Sequence, residues 1–362
     1  MPAVTLIDVA RRAGVSLASA SRVLNGSARV PRADVAERVR AAALALGYVP
    51  NAQAQALARS STGLVGLVVH DIADPYFSTI AMGVQRAARA RGRQVLLAST
   101  ERDPDFERDA VAALVAHRAD AIVLAGTRSL APERSDGALL EVLDRYRAHG
   151  GRLAVIGQPL PGGHAVVPSN GPAARELALQ LVAAGHRRFA VLTGPPDTVT
   201  ARHRADGFAA GLAERGLALV ARVPGDLTRD GGHAAALALV DALRLAPGGA
   251  EGPVCVFAVT DVMAVGAMAA LRERGLRAPD DVAVAGFDDI PTLRDHVPPV
   301  TTVRLPLAQM GERALDLAIG EDTTAAGRRP PPPEPGKSRV EEVAGEVVLR
   351  ESTRLVGPAR SR

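Results

Sequence analysis

The residues with the clearest chemistry lie in one short stretch near the N-terminus, SLASASRVLN at 16–25. The guanidinium of Arg22 is able to bond the O6 and N7 atoms of one guanine together, the commonest specific contact in the major groove. Leu17 and Ala18 are apolar and suit contact with a thymine methyl group. The side chains able to donate to phosphates or base edges are Ser16, Ser19, Ser21 and Asn25.

Three short helices are predicted to hold this stretch. Thr5 caps the first in a capping-box pattern, and Ser16 caps a second helix over 17–24. Pro31 is expected to open a third helix, which Gly47 ends. The apolar side chains expected to share a core are Leu6, Val9, Ala10, Ala13, Val35, Val39, Ala42, Ala43 and Leu46.

These helices fit a helix-turn-helix, in which the second helix enters the major groove by its N-terminal residues and the first crosses the backbone. In that geometry Leu17, Ala18, Ser21 and Arg22 face the groove. An ordinary small helical domain has the same spacing, so the helices alone leave both interpretations open.

The charge distribution favours a polyanionic partner. The formal net charge is +4, and residues 1–60 hold eight arginines, no lysine and three acidic residues. The remainder of the chain carries almost equal numbers of basic and acidic residues. A basic segment binds phosphates by releasing their counterions, although charge alone also allows a solvated face.

Length and composition predict two or three compact units of a soluble protein. Of the 362 residues, 47% are apolar and 23% are charged. The N-terminus lacks the apolar core of a signal peptide, and no run approaches the roughly 18 residues of a membrane span. The one cysteine, Cys255, is expected to be a buried thiol, so no disulfide framework forms. A cytoplasmic location is expected.

From Gly63 onward, short apolar runs alternate with alanine-rich helical patterns. The runs lie at 64–69, 95–99, 121–126, 153–157, 189–194, 254–259 and 282–287. The helical patterns lie at 80–91, 108–117, 171–184 and 201–215. Continuous apolar runs suit parallel strands covered on both faces, which predicts doubly wound α/β sheets in two lobes. A ligand is expected beyond the strands' C-terminal ends, between the lobes.

Two aromatic residues are candidates for this cleft. Asp74-Pro75-Tyr76-Phe77 follows the first strand and opens a helix, so Tyr76 and Phe77 are placed to stack on a ring of a ligand. The chain has no Trp, three Tyr and six Phe, which leaves few other aromatics for the purpose. Packing between the lobes is the alternative for Phe77.

Two rival classes share the doubly wound pattern. An enzyme of this class would carry a recognisable motif, but the chain has no GxGxxG at a strand-to-helix turn, no P-loop, no HExxH and no GxSxG. A solute-binding protein of a transport system would need an export signal and would not carry the basic helices. We therefore predict neither an enzyme nor a cofactor or metal.

Four segments together resemble the headpiece of the lactose-repressor (LacI/GalR) family: VTLIDVARRAGVS at 4–16, SRVLN at 21–25, GYVPN at 47–51 and QALAR at 55–59. The resemblance continues through GLVVHDIADPYFSTIAMGVQRAARARG at 66–92 and AVTDVMAVGAMAALRERGLRAPDDVAVAGFDD at 258–289. It closes with PPVTTVRLP at 298–306 and VVLREST at 347–353.

The resemblance implies a transcription regulator, more often a repressor, that binds a pseudo-palindromic operator in double-stranded DNA as a homodimer. Residues 1–49 would form an all-α helix-turn-helix headpiece and 50–62 a hinge helix. Residues 63–362 would form a periplasmic-binding-protein-like effector-binding and dimerisation domain, with a flexible Pro-rich insertion at 327–339. A small-molecule effector, a sugar or another metabolite, would control operator affinity.

For DNA, the resemblance implies that Leu57 on the hinge helix wedges into a minor-groove step and bends the duplex. An apolar side chain between base pairs costs stacking energy, but the bent duplex then contacts a larger area of the protein. This is a physical reason for an isolated Leu on a polar helix. Further contacts are predicted at Thr5, Leu6 and Asn51. A linker leucine that touches its own domain is the alternative for Leu57.

For the effector, the resemblance implies contacts from Arg204, Asp288 and Thr260. Thr260 stands where the family usually has Asn, and Ser169 where it usually has Asp. Leu227 replaces an aromatic that is common in sugar-binding members. A surface salt bridge is the alternative for Arg204 and a turn cap for Asp288. A regulator whose pocket binds no ligand therefore also stays open.

Overall fold

The computed structural model describes residues 4–25, 31–49, 61–129, 136–249, 252–320 and 338–355. Its helices are α1 (Leu6–Ala13), α2 (Leu17–Asn25), α3 (Ala33–Leu46), α4 (Pro75–Ala90), α5 (Pro104–Ala116), α6 (Asp136–Ala148), α7 (Asn170–Ala183), α8 (Val199–Ala213), α9 (Arg229–Leu243), α10 (Asp261–Glu273) and α11 (Leu307–Ile319). Its strands are β1 (Leu64–Val69), β2 (Gln94–Ser99), β3 (Ala121–Gly126), β4 (Arg152–Gly157), β5 (His164–Pro168), β6 (Phe189–Thr193), β7 (Leu219–Pro224), β8 (Val254–Ala258), β9 (Val282–Ala285), β10 (Thr302–Arg304), β11 (Val340–Val343) and β12 (Glu346–Val348). Short 3-10 turns lie at Pro291–Arg294 and Glu351–Thr353.

The first two helices begin at the predicted caps. The Thr5 hydroxyl accepts a hydrogen bond from the Asp8 amide at 3.4 Å, and the Asp8 carboxylate accepts one from the Thr5 amide at 3.0 Å. This completes the capping box. The Ser16 hydroxyl accepts from the Ser19 amide at 3.1 Å and caps α2.

The third helix begins later than predicted. Helix α3 starts at Ala33 rather than at Pro31, because Arg32 is still extended, with a ψ of 151°. The Arg32 side chain makes no capping hydrogen bond at this end of α3. At the other end, Gly47 adopts a φ of 64° and terminates the helix as predicted.

A small apolar core joins α1, α2 and α3. The predicted core positions that are buried are Val9, Ala10, Ala13, Val39, Ala42 and Ala43, and Ala20 of α2 joins them. Leu6 and Leu46 pack against this core while partly exposed. Val35 is only half-buried, and its neighbour Ala36 is buried instead.

Two parallel sheets form most of the chain, which confirms the doubly wound architecture. The first has the strand order β11-β5-β4-β3-β1-β2 and the second β7-β6-β8-β9. Every neighbouring pair in both sheets is parallel. We call the first sheet with helices α4, α5, α6 and α11 the N-lobe, and the second with α7 to α10 the C-lobe.

The continuous apolar runs mostly became central strands. β3, β4, β8 and β9 are buried along almost their whole length, since helices cover both faces. Cys255 on β8 is fully buried, as predicted, and burial raises the pKa of its thiol. β2 is the exception, because it lies at the edge of the N-lobe sheet and leaves Leu96 and Leu97 exposed.

The sequence analysis missed the strands without an apolar run. β7 and β11 lie at sheet edges and alternate half-buried with exposed residues, so β11 reads as the charged string VEEV. β5 and β10 are short and were missed as well. The segment 346–353 forms β12 at its start and the turn Glu351–Thr353 at its end.

The chain crosses between the lobes after β5, after β10 and after β11. Helix α11 returns to pack on α4, and β11 pairs with β5 in the N-lobe. β12 then pairs antiparallel with β10 beside the C-lobe. These crossings connect the lobes along one side of the cleft.

Several predicted features fall outside the described residues: 50–60 of the hinge helix, and 327–337 of the Pro-rich insertion. Ser338 and Arg339 are described and exposed, and the Arg339 carbonyl accepts from the Ala165 amide at 2.8 Å. None of the helices in the described ranges has both the length and the apolar character that a membrane crossing requires.

Helices α4 and α11 approach so closely that only glycine fits at their crossing. A Cβ at Gly83 would collide with the Ala308 carbonyl, and a Cβ at Gly311 would collide with the Ile80 carbonyl. Backbone lies against backbone here, so neither partner is able to yield by rotating a side chain.

Gly83→Ala should therefore lower the free energy of unfolding by about 1–3 kcal/mol, the usual cost of overpacking a core. The matched control is Gly137→Ala in α6, where an added Cβ meets nothing within 4 Å. That change should be neutral or stabilise by up to about 1 kcal/mol. Urea denaturation measures both variants, and equal stability of Gly83→Ala and the wild type would contradict the close approach.

Candidate functional site

The exposed face of α2 carries the side chains predicted to read DNA. At roughly 100° per residue, Leu17, Ala18, Ser21 and Arg22 fall on one side of the helix. Leu17 is 48% exposed, Ala18 and Arg22 are also exposed, and Ser21 is half-buried. Ala20 on the opposite side is fully buried. Helix α2 therefore presents to solvent the face predicted to enter the groove.

The other predicted DNA contacts have varied surroundings. Thr5 and Ser16 lie exposed at the N-terminal ends of α1 and α2, where free backbone amides favour the binding of a phosphate group. Leu6 packs half-buried against the helical core, and Asn25 is the last residue of α2. Asn51 and Leu57 lie outside the described residues.

A chamber lies between the lobes, and we call it the inner chamber. The side chains predicted to contact an effector all line it: Tyr76, Phe77, Arg204, Thr260 and Asp288. Polar residues that the sequence analysis had not assigned line it too: His70, Asp74, Arg102 and Asn170. His70 follows β1 and Arg102 follows β2, so the strand-end rule for ligand sites would have pointed to both.

The two lobes are in direct contact beside this chamber. The Val199 amide donates to the Arg128 carbonyl at 3.1 Å, and the Thr200 amide donates to the Thr127 hydroxyl at 3.2 Å. Gln158 donates from Nε2 to the Thr200 hydroxyl at 3.0 Å. The start of α8 in the C-lobe is therefore bonded to the strand ends of the N-lobe.

Arg204 is the best-anchored side chain of the chamber. Its Nη2 donates to Oδ1 of Asp288 at 2.8 Å, and its Nη1 donates to the Val259 carbonyl at 2.8 Å and to Oδ2 of Asp288 at 3.3 Å. Its Nε donates to Oδ1 of Asn170 at 2.8 Å, and the guanidinium lies 3.9 Å from the centre of the Phe287 ring. The protein itself thus engages most of its N–H donors, so a surface salt bridge is the wrong description.

Asp288 is held in an unfavourable setting on two counts. It is only 3% exposed, and its backbone has a φ of 123°, a conformation that side-chain-bearing residues rarely adopt. Burial raises the pKa of its carboxyl to about 7, although Arg204 acts in the opposite direction. The next residue, Asp289, accepts from Arg304 at 2.7 Å and from Arg350 at 2.5 Å, which ties the returning strands to this turn.

The N-lobe wall of the chamber combines aromatic and polar groups. The rings of Tyr76 and Phe77 meet edge to face at 4.9 Å, and His70 lies 5.6 Å from Phe77. Burial and the nearby charges of Arg102 and Arg128 lower the pKa of His70 to about 3, so its ring is neutral. Burial also raises the pKa of Tyr76.

The two departures from the family pattern have local partners. The Thr260 hydroxyl accepts from the Met263 amide at 3.4 Å, so it caps α10 while it lines the chamber. The Ser169 hydroxyl accepts from the Gly345 amide at 3.2 Å, which binds the segment between β11 and β12 to the start of α7. Leu227 is 6% exposed and lines the chamber.

Two family descriptions match the chain. "Bacterial regulatory proteins, lacI family" matches residues 5–51, the region of α1 to α3. "Periplasmic binding protein-like domain" matches residues 178–353, which cover most of the C-lobe and the returning segments.

Relatives match along most of their length. The chain is 33% identical over 318 residues to the ribose operon repressor of Escherichia coli (strain K12), covering 87% of this chain and 92% of that protein. It is 34% identical over 321 residues to the HTH-type transcriptional regulator GalS of Salmonella typhimurium (strain LT2), covering 87% and 89%.

Solved structures share the whole architecture. The lac repressor dimer bound to operator and the anti-inducer ONPF matches with a TM-score of 0.78 and 26% identity, covering 97% of this chain and 99% of that chain. The complex of the transcriptional regulator CelR with cellobiose matches with a TM-score of 0.65 and 30% identity, covering 96% and 99%.

Arg204→Ala should lower the free energy of unfolding by about 3–5 kcal/mol, because it leaves the buried Asp288 carboxyl without its charged partner. Arg202→Ala is the matched control, since Arg202 is exposed and its nearest carboxylate, on Asp206, is 3.5 Å away. Its effect should stay below about 1 kcal/mol. Thermal and urea unfolding measure both, and similar losses in the two variants would refute the anchoring of Arg204.

Proposed function

The chain belongs to the lacI family of bacterial regulatory proteins, and we propose that it represses transcription as a homodimer on a pseudo-palindromic operator. It is a sequence-specific DNA-binding transcriptional regulator. The observation that carries the proposed mode of binding is the exposed α2 face, on which Arg22 lies exposed with Leu17 and Ala18. The named relatives are regulators, so we propose a cytoplasmic protein whose cleft binds its ligand without converting it.

In the proposed complex each headpiece places α2 in the major groove of one half-site. Arg22 pairs with guanine, while Thr5, Leu6, Ser16, Ser21 and Asn25 fix the register on phosphates and base edges. The segment 50–60 orders on the operator, with Asn51 against the backbone and Leu57 in the central minor-groove step. The related lac repressor is a dimer on its operator, which supports two headpieces on one site.

We propose that the effector is an uncharged, polyhydroxylated molecule of the sugar class. Arg102, Arg204, Asp74 and Asp288 contribute equal numbers of positive and negative groups to the chamber, and neutral His70 adds no charge. A neutral ligand leaves this balance of charges intact, and its hydroxyl groups are able to pair with both the donors and the acceptors of the chamber. Tyr76, Phe77 and Thr260 complete the contact surface. Relatives named for ribose and cellobiose support the same class.

Effector binding has a physical route to the DNA. Where the chain leaves the 50–60 segment, the Ser61 hydroxyl donates to Oδ2 of Asp120 at 2.6 Å and the Thr62 amide donates to Oδ1 at 3.2 Å. Arg93 donates to the same Asp120 carboxylate at 2.6 Å. The linker is thus fastened to the N-lobe, so closure of the cleft moves the two linkers of a dimer relative to each other.

Arg22→Ala should weaken binding to the operator by about 1–3 kcal/mol and leave binding to random duplex nearly unchanged. Arg40→Ala is the control, since Arg40 is an exposed arginine on α3 and lies off the α2 face. Its loss should affect operator and random DNA alike. Recovery of bound genomic fragments supplies the operator, and binding isotherms at fixed salt measure the variants. An equal loss for both DNAs on Arg22→Ala would contradict base reading.

Effector affinity should rise roughly tenfold from pH 6 to pH 8. Hydroxyl groups that donate to Asp288 favour its ionised form, so binding lowers a pKa that stands at about 7 in the free protein. The other ionisable groups that interact with Asp288 are Arg204, Asp74, Tyr76 and Asp261.

The probe is whichever of D-ribose, D-galactose, D-glucose or cellobiose most raises the melting temperature. Calorimetric titration at the two pH values then measures the change, and Asp288→Asn should bind more weakly with no such pH dependence. An unchanged Kd in the wild type would contradict the role of Asp288, and a protein that none of the four sugars stabilises would contradict the proposed ligand class.

A further inference from the structure

The turn after β2 points an arginine into the inner chamber at a conformational cost. Glu101 and Arg102 adopt φ values of 53° and 63°, a left-handed conformation that non-glycine residues rarely take twice in succession. The turn is short, because the Asp103 amide already donates to the Thr100 carbonyl at 2.8 Å and Asp103 caps α5. Strain of this kind is typical of side chains held for a function.

Arg102 is only partly satisfied by the protein. Its Nη2 donates across the cleft to the Leu227 carbonyl at 3.2 Å, so it links the N-lobe to the C-lobe. Its Nε is buried and has no hydrogen-bond partner among the described residues. Arg204 on the opposite wall has nearly all its donors engaged by protein groups. Only one of the two arginines therefore has an evident unused donor at the chamber.

A second unsatisfied atom lies on the same wall. Nδ1 of His70 is buried and has no hydrogen-bond partner within the described ranges. Leaving a buried polar atom unpaired is unfavourable, and such atoms are rare unless something else binds them. His70 and Arg102 both line the inner chamber, and the charge of Arg102 helps to lower the pKa of His70. Together they form a polar patch on which His70 Nδ1 and Arg102 Nε have no hydrogen-bond partner in the described part of the chain.

We propose that Arg102 binds the effector and closes the cleft at once: its Nε–H donates to an acceptor oxygen of the ligand while its Nη2 remains on the Leu227 carbonyl. This assignment rests on the proposed function of the inner chamber. One planar guanidinium then joins the ligand to the backbone of the opposite lobe, so each bound effector stabilises the closed state.

The surroundings of Arg102 specify the acceptor. Burial lowers the pKa of this guanidinium, and the charges of Asp74, Asp71 and Asp226 act in the opposite direction, which places three carboxylates near it. A carboxylate or phosphate of a ligand would be repelled by these groups, whereas a hydroxyl, ring or carbonyl oxygen would not. Arg102 therefore selects an uncharged oxygen acceptor.

The test uses Arg102→Asn in the full-length protein, because asparagine tolerates the left-handed backbone but lacks the guanidinium donors. Arg118→Asn is the matched control, since Arg118 has a φ of 54°, lies in the N-lobe and is exposed away from the chamber. The probe is the sugar of the four-sugar panel that most stabilises the wild type. Titration calorimetry measures its Kd, and the melting temperature of the ligand-free protein is recorded for each variant.

Arg102→Asn should raise the Kd about 10- to 100-fold, the loss expected for a charge-assisted hydrogen bond. Its ligand-free melting temperature should not fall, and Arg118→Asn should stay within about twofold of the wild-type Kd. A Kd of Arg102→Asn within twofold of the wild type would overturn the proposal. So would a large fall in the ligand-free melting temperature, which indicates a structural role.

Amide hydrogen exchange keeps this proposal separate from the identity of the sugar. Without the hydrogen bond from Arg102 to the Leu227 carbonyl, the amides of residues 225–230 in ligand-free Arg102→Asn should exchange faster than in the wild type and in Arg118→Asn. If no panel sugar binds the wild type, the proposed ligand class fails, and exchange alone then decides the closing role. Equal exchange in all three proteins would overturn that role.

Discussion

A charged group that is buried away from water needs a partner of opposite charge. Arg204 and Asp288 form such a pair, and this pair holds the C-lobe wall of the cleft together. Their side chains are 2.8 Å apart and almost fully buried. Through Asn170 and the Val259 carbonyl, the same guanidinium joins the start of α7 to the end of the β8 segment. The C-lobe wall is therefore one connected unit, and a ligand meets it already formed.

The N-lobe wall is built differently. It offers the rings of Tyr76 and Phe77 beside two buried polar atoms, on His70 and Arg102, that the described protein leaves unpaired. The polar groups of the C-lobe wall are paired within the protein, whereas these two atoms on the N-lobe wall are not. This arrangement suits a sensor, because a ligand gains most from hydrogen bonds to atoms that lack a partner in the protein. Arg102 bonds the Leu227 carbonyl across the cleft, and Ser61 bonds Asp120 of the N-lobe. Under the proposed function these two bonds connect ligand binding and cleft closure with the DNA-binding segment.

Function also depends on the separation between the two kinds of core. The headpiece buries its own apolar cluster around Val9, Ala20 and Val39, so α2 is able to keep its outward face free for bases. The lobes are held by sheets and by the crossings after β5, β10 and β11. The chain reaches the N-lobe at Ser61 and Thr62, which bond the Asp120 carboxylate there.

The sequence by itself determined the capping box at Thr5, the exposed face of α2, the central strands and five side chains of the inner chamber, among them Arg204 and Asp288. These follow from local chemistry and from the resemblance of short motifs. The sequence did not identify His70 or Arg102 on the facing wall. It did not determine the edge strands β7 and β11, whose residues alternate because one side faces solvent, or the start of α3 at Ala33. Only the tertiary structure decided that Arg204 is saturated while Arg102 is not, because hydrogen-bond partners come from segments distant in sequence. From the sequence alone, an arginine that a carboxylate pairs in the folded protein looks the same as an arginine that faces an open chamber.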